Sequence, residues 1–373
     1  MTTAEAHEFT RLTRLDQARA ISSPGERLRE IVRAARGLAD DIRAHGPAIA
    51  VRTFDLVTFP YPTAFGLQGA ALSPAPFVMM RNRVQLVQVR TGGRVISVLI
   101  NPSDPDRSLA TPFFATQIER YGEFVAKRLL SQQHGTVELA LRAWAVAPED
   151  IDYITFDHLH VQDVRGLLGT VEPEPGQSRP TPAFLPNARL LAQAEELETL
   201  ACPHPMHRFW YVADCLRSVD PAKVVALDGD YLIGPGLAIV RTPGHTRGNH
   251  SPVVMTDRGL WTISENGIAV DAYAPSASRI PGLAKAARTL DVDVILNANT
   301  RENSLAQYTS MMLEKTLADP CSSRPEFPQH FPSSELVASP LAPGLSPTYS
   351  HGHITHGRLV SHSERADQSR SAS

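Results

Sequence analysis

Cysteine is scarce in this chain: Cys202, Cys215 and Cys321 are its only three in 373 residues. They are odd in number and far apart, which excludes a disulfide framework and a Cys-x-x-Cys metal pair, so a reducing cytoplasm is the expected setting. Long apolar runs are missing as well. No stretch has the length and apolarity of a bilayer span, and Met1 to Ala20 has no apolar core for export. No membrane partner is expected. A long basic run is also lacking, and the formal net charge is −3, which argues against nucleic acid as a partner. Internal repeats are absent. What remains, 42% hydrophobic and 20% charged, suits a soluble globular protein. The length accommodates one layered domain with extensions, or two smaller domains.

Apolar residues recur at helical spacing between 4 and 45, as in Leu28, Ile31 and Val32. Ala48 to Phe59 alternates loosely as a strand, and Pro60-Tyr61-Pro62 is expected to end it. Arg83 to Val89 and Val95 to Ile100 read as a hairpin about Thr91-Gly92-Gly93. Helices are expected over about 112–130, 137–145 and 305–317, and Asn187 to Leu200 reads as a strand continuing into a helix. Asp152 to Phe156, Val224 to Val240, Leu260 to Ile263 and Val292 to Leu296 read as strands, the second of these turning at Gly234-Pro235-Gly236. After Pro320 the composition shifts to Pro, Ser and His, which predicts an extended or partly disordered tail. Strand pairs alternating with helices imply a mixed α/β layer architecture.

The chemistry-bearing residues cluster at strand ends. His158 and His160 lie two apart just past a strand-like run, where both can converge on one ion. Asp163 follows three residues later. His245 sits in Thr242-Pro243-Gly244-His245-Thr246, a tight loop after another strand, and Glu265 follows a third. Taken singly, each is more often a surface or hydrogen-bonded core residue than a ligand. Their recurrence at successive strand ends points to a divalent metal site. Imidazole and carboxylate donors suit zinc first, with iron or manganese as alternatives.

These segments resemble the metallo-β-lactamase superfamily over roughly residues 48 to 315. Leu141 to His160 follows the stretch leading into that family's His-x-His-x-Asp-His signature. Arg94 to Pro102 is similar to the strand that usually ends in an Asp-Thr-Gly turn. Phe184 to Leu190 resembles the next strand, and the Thr-Pro-Gly-His-Thr-x-Gly run within Gly236 to Gly248 resembles the loop of the third histidine. The tone is closest to the lactonase and hydroxyacylglutathione-hydrolase branches. The resemblance implies an αββα sandwich over 47–320, flanked by an N-terminal helical extension over 1–46 and an irregular tail over 321–373. It implies a first metal site of His158, His160 and His245.

The departures concern the second ion. Gln162 stands where the Asp is expected, Asp163 where the last histidine is, and Glu265 where a bridging Asp is usual. Asn297-Ala298-Asn299 falls where a final histidine is expected. One or two ions are therefore expected, with Asp163 and Glu265 as oxygen ligands or Asp163 as a general base. His351, His353 and His356 form a His-rich tail, read as surface rather than as replacement ligands.

The activity implied is metal-assisted hydrolysis of a small ester, lactone or thioester. A one-iron oxygenase-type relative and a degenerate binding scaffold are the alternatives. Arg165 is expected to neutralise an acidic substrate or to pair with Asp163. His204 to Tyr211 is read as a packed helix start in preference to a pocket lid, and Pro60 to Gly66 as a substrate-facing loop or a plain turn. A small-molecule substrate is the expected partner, and a homodimer is the default assembly on general grounds.

Overall fold

The computed structural model describes residues 9–122, 131–298, 303–362 and 364–365. Fifteen strands are defined: β1 (Thr10–Leu12), β2 (Ala50–Pro62), β3 (Phe77–Thr91), β4 (Arg94–Ile100), β5 (Gln132–Gln133), β6 (Tyr153–Thr155), β7 (Arg189–Gln193), β8 (Val224–Leu227), β9 (Asp230–Gly234), β10 (Leu237–Arg241), β11 (His250–Thr256), β12 (Gly259–Ser264), β13 (His330–Pro332), β14 (Ser334–Val337) and β15 (His356–Gly357). They form two sheets. One runs β15-β2-β3-β4-β6-β7-β8, with β14 on β3 and β5 on β2; the other runs β1-β9-β10-β11-β12-β13.

The burial pattern makes this a four-layer molecule. Inward residues of both sheets meet in one core, including Val87, Val98 and Leu191 from the first and Ile239, Val254 and Trp261 from the second. On the outer face of the first sheet, Leu86, Leu99 and Ile154 pack against Val137, Ala140 and Leu141 of the helix Val137–Trp144. On the outer face of the second, Ala238, Val240 and Leu260 pack against the helices Pro24–Ala44 and Ser304–Leu317. Strands β4, β6, β7 and β8 are parallel neighbours. Because they are covered on both faces, their sequences are nearly all apolar instead of alternating, as in Val-Ile-Ser-Val-Leu-Ile of β4.

Several expectations need correction. The 4–45 segment is not one helix: β1 pairs with β9 before the helix Pro24–Ala44 begins, and residues 1–8 lie outside the described residues. Pro60 and Pro62 do not end β2, which pairs with β3 through Pro62 opposite Phe77. Only Val57 and Thr58 of this stretch pair with β5 on the other side, so beyond them β2 is an edge strand, where a missing N–H is tolerated. The helix from Pro112 is described to Tyr121, and 123–130 lies outside the described residues. Val292 to Leu296 forms no strand, although Val294, Ile295 and Leu296 are buried.

The C-terminal segment is mostly irregular, yet it is built into the sandwich. β13 extends the second sheet, and β14 and β15 extend the first. Glu335 pins β14 through a 2.6 Å ion pair with Arg83, both side chains buried. Pattern reading missed this because each strand is too short to show a period.

Candidate metal centre

All the strands named below stop at one end of the sandwich, and the site is built from the loops they release. β6 ends at Thr155 and hands over to Asp157, His158 and His160. β10 ends at Arg241 and leads to His245, while β12 ends at Ser264 and leads to Glu265. The loop of His245 needs its glycines for close approach. A Cβ on Gly244 would lie 2.2 Å from Gln307 Cα, and one on Gly248 would lie 2.2 Å from the Glu196 nitrogen. The helices that begin at Ser304 and Ala194 can thus press directly on this loop.

His158, His160 and His245 are all buried and come together, with their ligand atoms within 4.8 Å of one another. Nitrogens bound to a tetrahedral ion at about 2.1 Å lie about 3.4 Å apart, so a small closure of the rings would complete the cage. Two rings are already oriented. His158 Nδ1 donates to Asp157 Oδ2 at 3.0 Å, and His245 Nδ1 donates to the Asn297 carbonyl at 3.4 Å. Carboxylate and carbonyl oxygens accept only, so Nδ1 carries a proton in both rings and Nε2 is the nitrogen that would face an ion.

Charge in the site is uneven. Burial alone would lower His158, but Asp157 at its Nδ1 outweighs it and raises the ring to about 9. Burial, then repulsion from His158, keeps His160 and His245 well below the ordinary imidazole range. Two of the three rings are therefore neutral, the form that binds metal. Burial pushes the Glu265 carboxyl up to about 7.

Not every expected ligand arrives. Glu265 lines the same pocket as the triad, but among the described residues the compact donor cluster holds the three histidines alone. Asp163 is not part of this cluster, and its carboxylate is engaged by two arginines. Its oxygens accept from Arg165 Nη2 at 2.6 Å and Nε at 2.9 Å, and from Arg107 Nη1 at 3.2 Å. The pairing expected for Arg165 is thus present. Gln162 lines the pocket with a neutral amide. Asn297 spends its side chain on structure, accepting from Tyr61 Oη at 3.0 Å and donating to the Glu265 carbonyl at 3.0 Å. Asn299 lies outside the described residues. The tail histidines bond elsewhere: His351 to the Pro328 carbonyl, His353 to Asp55 and His356 to Asp257.

The triad opens into a cavity of about 170 Å³. Phe113, Phe114, Leu109 and Trp210 give it an apolar side, and Pro60 and Tyr61 show that the Pro60 segment does face it. Between His204 and Tyr211 no helix forms. Instead the Tyr211 and Trp210 rings pack on His160, at 4.7 and 6.1 Å between centroids.

Two positioning carboxylates escaped sequence reading. Asp157 orients His158 and also accepts from the Glu265 N–H at 2.9 Å. Its only signal was adjacency to His158. Glu196 accepts from the Leu159 N–H at 2.8 Å, from Tyr211 Oη at 3.0 Å and from Thr246 Oγ1 at 2.7 Å. It ties the loop between the first two histidines to the residue after the third. No local signal could have found it, because its partners lie 15 to 50 residues away in sequence.

Val161, a β-branched residue, adopts φ 58° beside this loop. Such a conformation is held only when the surroundings dictate it. Here its N–H is anchored to the Trp210 carbonyl at 2.7 Å.

The chain thus has a four-layer αββα sandwich, with a His-x-His pair beyond a strand of one sheet and a third histidine beyond a strand of the other, the arrangement expected from its sequence resemblance. The chain is similar over 139 residues, 37% of its length, to an N-acyl homoserine lactonase of a Bacillus species at 27% identity. It is likewise similar to the N-acyl homoserine lactonase of Bacillus thuringiensis subsp. kurstaki at 26% identity. The matched region covers 47% of each relative, so the chain spans about half the length of the curated relatives it matches. No protein-family model matches it.

Among solved structures it is similar to an N-acyl homoserine lactone hydrolase with the product N-hexanoyl-L-homoserine at its catalytic metal centre. The TM-score is 0.44 and the identity 17%, covering 66% of this chain and 88% of the other. A dizinc quorum-quenching lactonase gives a TM-score of 0.45 at 12% identity, covering 84% and 96%.

Proposed function

We propose that this chain is a metal-dependent hydrolase of a small lactone, ester or thioester. The observation that carries the reading is the convergence of three buried imidazoles on the floor of an open pocket. His158, His160 and His245 would hold one divalent ion, zinc in the first instance. When bound, the ion supplies Lewis acidity, acidifying water and polarising a carbonyl.

The protein's own groups supply the rest. Asp157 and the Asn297 carbonyl fix two of the rings. Glu265, which lines the pocket beside the triad, would accept a proton from the attacking water and return it to the leaving group. Trp210 and Phe113 exclude water from one side of the pocket. A lactone heads the substrate class because the curated relatives are N-acyl homoserine lactonases.

One ion per chain is the count these side chains favour. Asp163 is occupied by two arginines and Asn297 by Tyr61, which leaves Glu265 and the amide of Gln162 near a second position. Elemental analysis of purified protein is expected to give about one equivalent of metal, lost in His158→Ala/His160→Ala. The metal-replete protein is expected to open lactones in a panel of lactones, esters and thioesters. Turnover of none of them would overturn the hydrolase reading.

A further inference from the structure

Behind the triad lies a buried carboxylate to which the hydrolytic reading gives no role. Glu314, in the helix Ser304–Leu317, is fully buried. Burying a carboxylate is costly unless donors satisfy it, and Glu314 gathers four among the described residues. Its Oε1 accepts from Ser251 Oγ at 2.6 Å, Ser264 Oγ at 2.7 Å and Asn266 Nδ2 at 2.9 Å, and its Oε2 accepts from Tyr273 Oη at 2.6 Å.

The donors come from the loops that carry the site. Ser264 and Asn266 flank Glu265, so one carboxylate oxygen grips the chain on both sides of it. Ser251 lies on β11, just past the His245 loop. Its proton goes to the carboxylate, so the Thr242 hydroxyl at the start of that loop, 2.7 Å away, donates to Ser251. Asn266 makes the direct link. Its Oδ1 accepts from the His245 N–H at 3.1 Å while its Nδ2 donates to Glu314. An N–H on one side and a carboxylate on the other allow the amide only this orientation.

The same face of the helix continues the contact. Gln307, Ser310 and Glu314 are three and four residues apart, so they share a face, and all three are buried. Ser310 Oγ donates to the Pro243 carbonyl at 2.6 Å, and Gln307 Nε2 donates to the Asn297 carbonyl at 2.7 Å and the Asn266 carbonyl at 3.0 Å. The Asn297 carbonyl is the one that orients the His245 ring. A buried helix face of polar side chains is spent here on the backbone around the third histidine.

We propose that Glu314 is a positioning residue of the metal centre, setting His245 and Glu265 relative to one another through Asn266 and Ser264. The inference rests on the metal-binding part of the reading above. It makes the placement of the third histidine depend on the helix Ser304–Leu317 and not on its own loop alone.

The test loads the full chain with cobalt(II), whose visible absorption reports the geometry of its ligands, and reads affinity by competition with a chelator. Glu314→Met fills the space but accepts from none of the four donors. Glu314→Gln keeps one oxygen for Ser251, Ser264 and Asn266 and turns an amide toward the Tyr273 hydroxyl, which can rotate to accept. Asn266→Ala cuts the link to His245 and leaves three of the four donors on Glu314. Leu141→Ala, in the helix packed on the outer face of the first sheet, is a control that loses stability away from the site. Glu314→Met and Asn266→Ala are expected to weaken cobalt binding about tenfold or more and to alter its absorption bands. Glu314→Gln is expected to restore both toward wild type, and folded Leu141→Ala to keep both.

Asn266→Ala decides the matter where Glu314→Met does not fold. A wild-type spectrum and affinity in Asn266→Ala, or an equal loss in Leu141→Ala, would overturn the proposal. Cobalt that binds but is untouched by the substitutions sinks the positioning role alone. Cobalt that binds without any lactone, ester or thioester turnover in the metal-replete chain sinks the hydrolase reading alone, and a wild-type chain that takes up no cobalt sinks both.

Discussion

Removing the Glu196 carboxylate should loosen the metal centre without touching a ligand. The side chain is 1% exposed and accepts from Leu159 N–H, Tyr211 Oη and Thr246 Oγ1 at 2.8, 3.0 and 2.7 Å. Leu159 lies between His158 and His160, and Thr246 follows His245, so one carboxylate sets the spacing of loops released by two different sheets. Glu196→Ala strands three donors in a space water reaches poorly. At about 1–3 kcal/mol per stranded group, and allowing Tyr211 and Thr246 to find partial substitutes, the loss is about 3–5 kcal/mol. That is a large share of the roughly 5–15 kcal/mol that holds a domain folded. Glu196→Gln keeps the shape and one acceptor oxygen, and the Thr246 hydroxyl can turn to accept from the new amide, so its cost is about 1 kcal/mol. Urea denaturation would read these stabilities, and chelator competition would read metal affinity. Groups that orient ligands typically contribute 10- to 100-fold to affinity, and the alanine variant is expected to fall in that range with the glutamine variant between it and wild type. Should Glu196→Ala unfold at the wild-type midpoint and bind the ion equally well, the proposed coupling of the two loops is wrong.

Other substitutions separate scaffold from chemistry. Asp163→Ala removes one of two carboxylates that Arg107 and Arg165 share, Glu174 still pairing with both, which costs about 1–3 kcal/mol. Metal content of the folded fraction, by elemental analysis, should not change; loss of metal from a protein that stays folded would restore Asp163 as a ligand. Gly244→Ala drives a Cβ into the Gln307 backbone. It should lower the thermal midpoint by an overpacking cost of about 1–3 kcal/mol and weaken metal binding, and a neutral result would show that the helix from Ser304 does not brace the His245 loop. Burial lowers His330 to about 3 where it bonds Thr262 and stacks on Tyr273. Its folded value lies below its unfolded one, so the unfolded chain binds the extra proton. The associated stability is whole above about pH 6.5 and is lost as pH falls toward 3, at no more than about 1.4 kcal/mol per pH unit. Urea midpoints at pH 7 and 5.5 should show a slope to which the other buried, lowered rings such as His250 and His351 also contribute, and His330→Gln should reduce it by the share of one ring.

Metal chemistry was legible in the sequence where it is local. A His-x-His pair next to an apolar β-run, and a histidine in a Pro-Gly loop, each declare a strand end. Short-range pattern also placed β7 and the helix after it, and the β3–β4 hairpin, because burial on both sides of a sheet leaves continuous apolar runs. Tertiary structure decided what the oxygen donors do. Asp163 has a ligand's spacing, but Arg107, far from it in the chain, folds onto it along with Arg165 and converts it into an ion-pair centre. Gln162 and Asn101 read as ordinary polar residues until tertiary structure buries them beside the triad. Spacing along a strand or turn fixes which side chains share a face. Which partner satisfies a buried carboxylate or amide is settled only when segments tens of residues or more apart exclude water from it together.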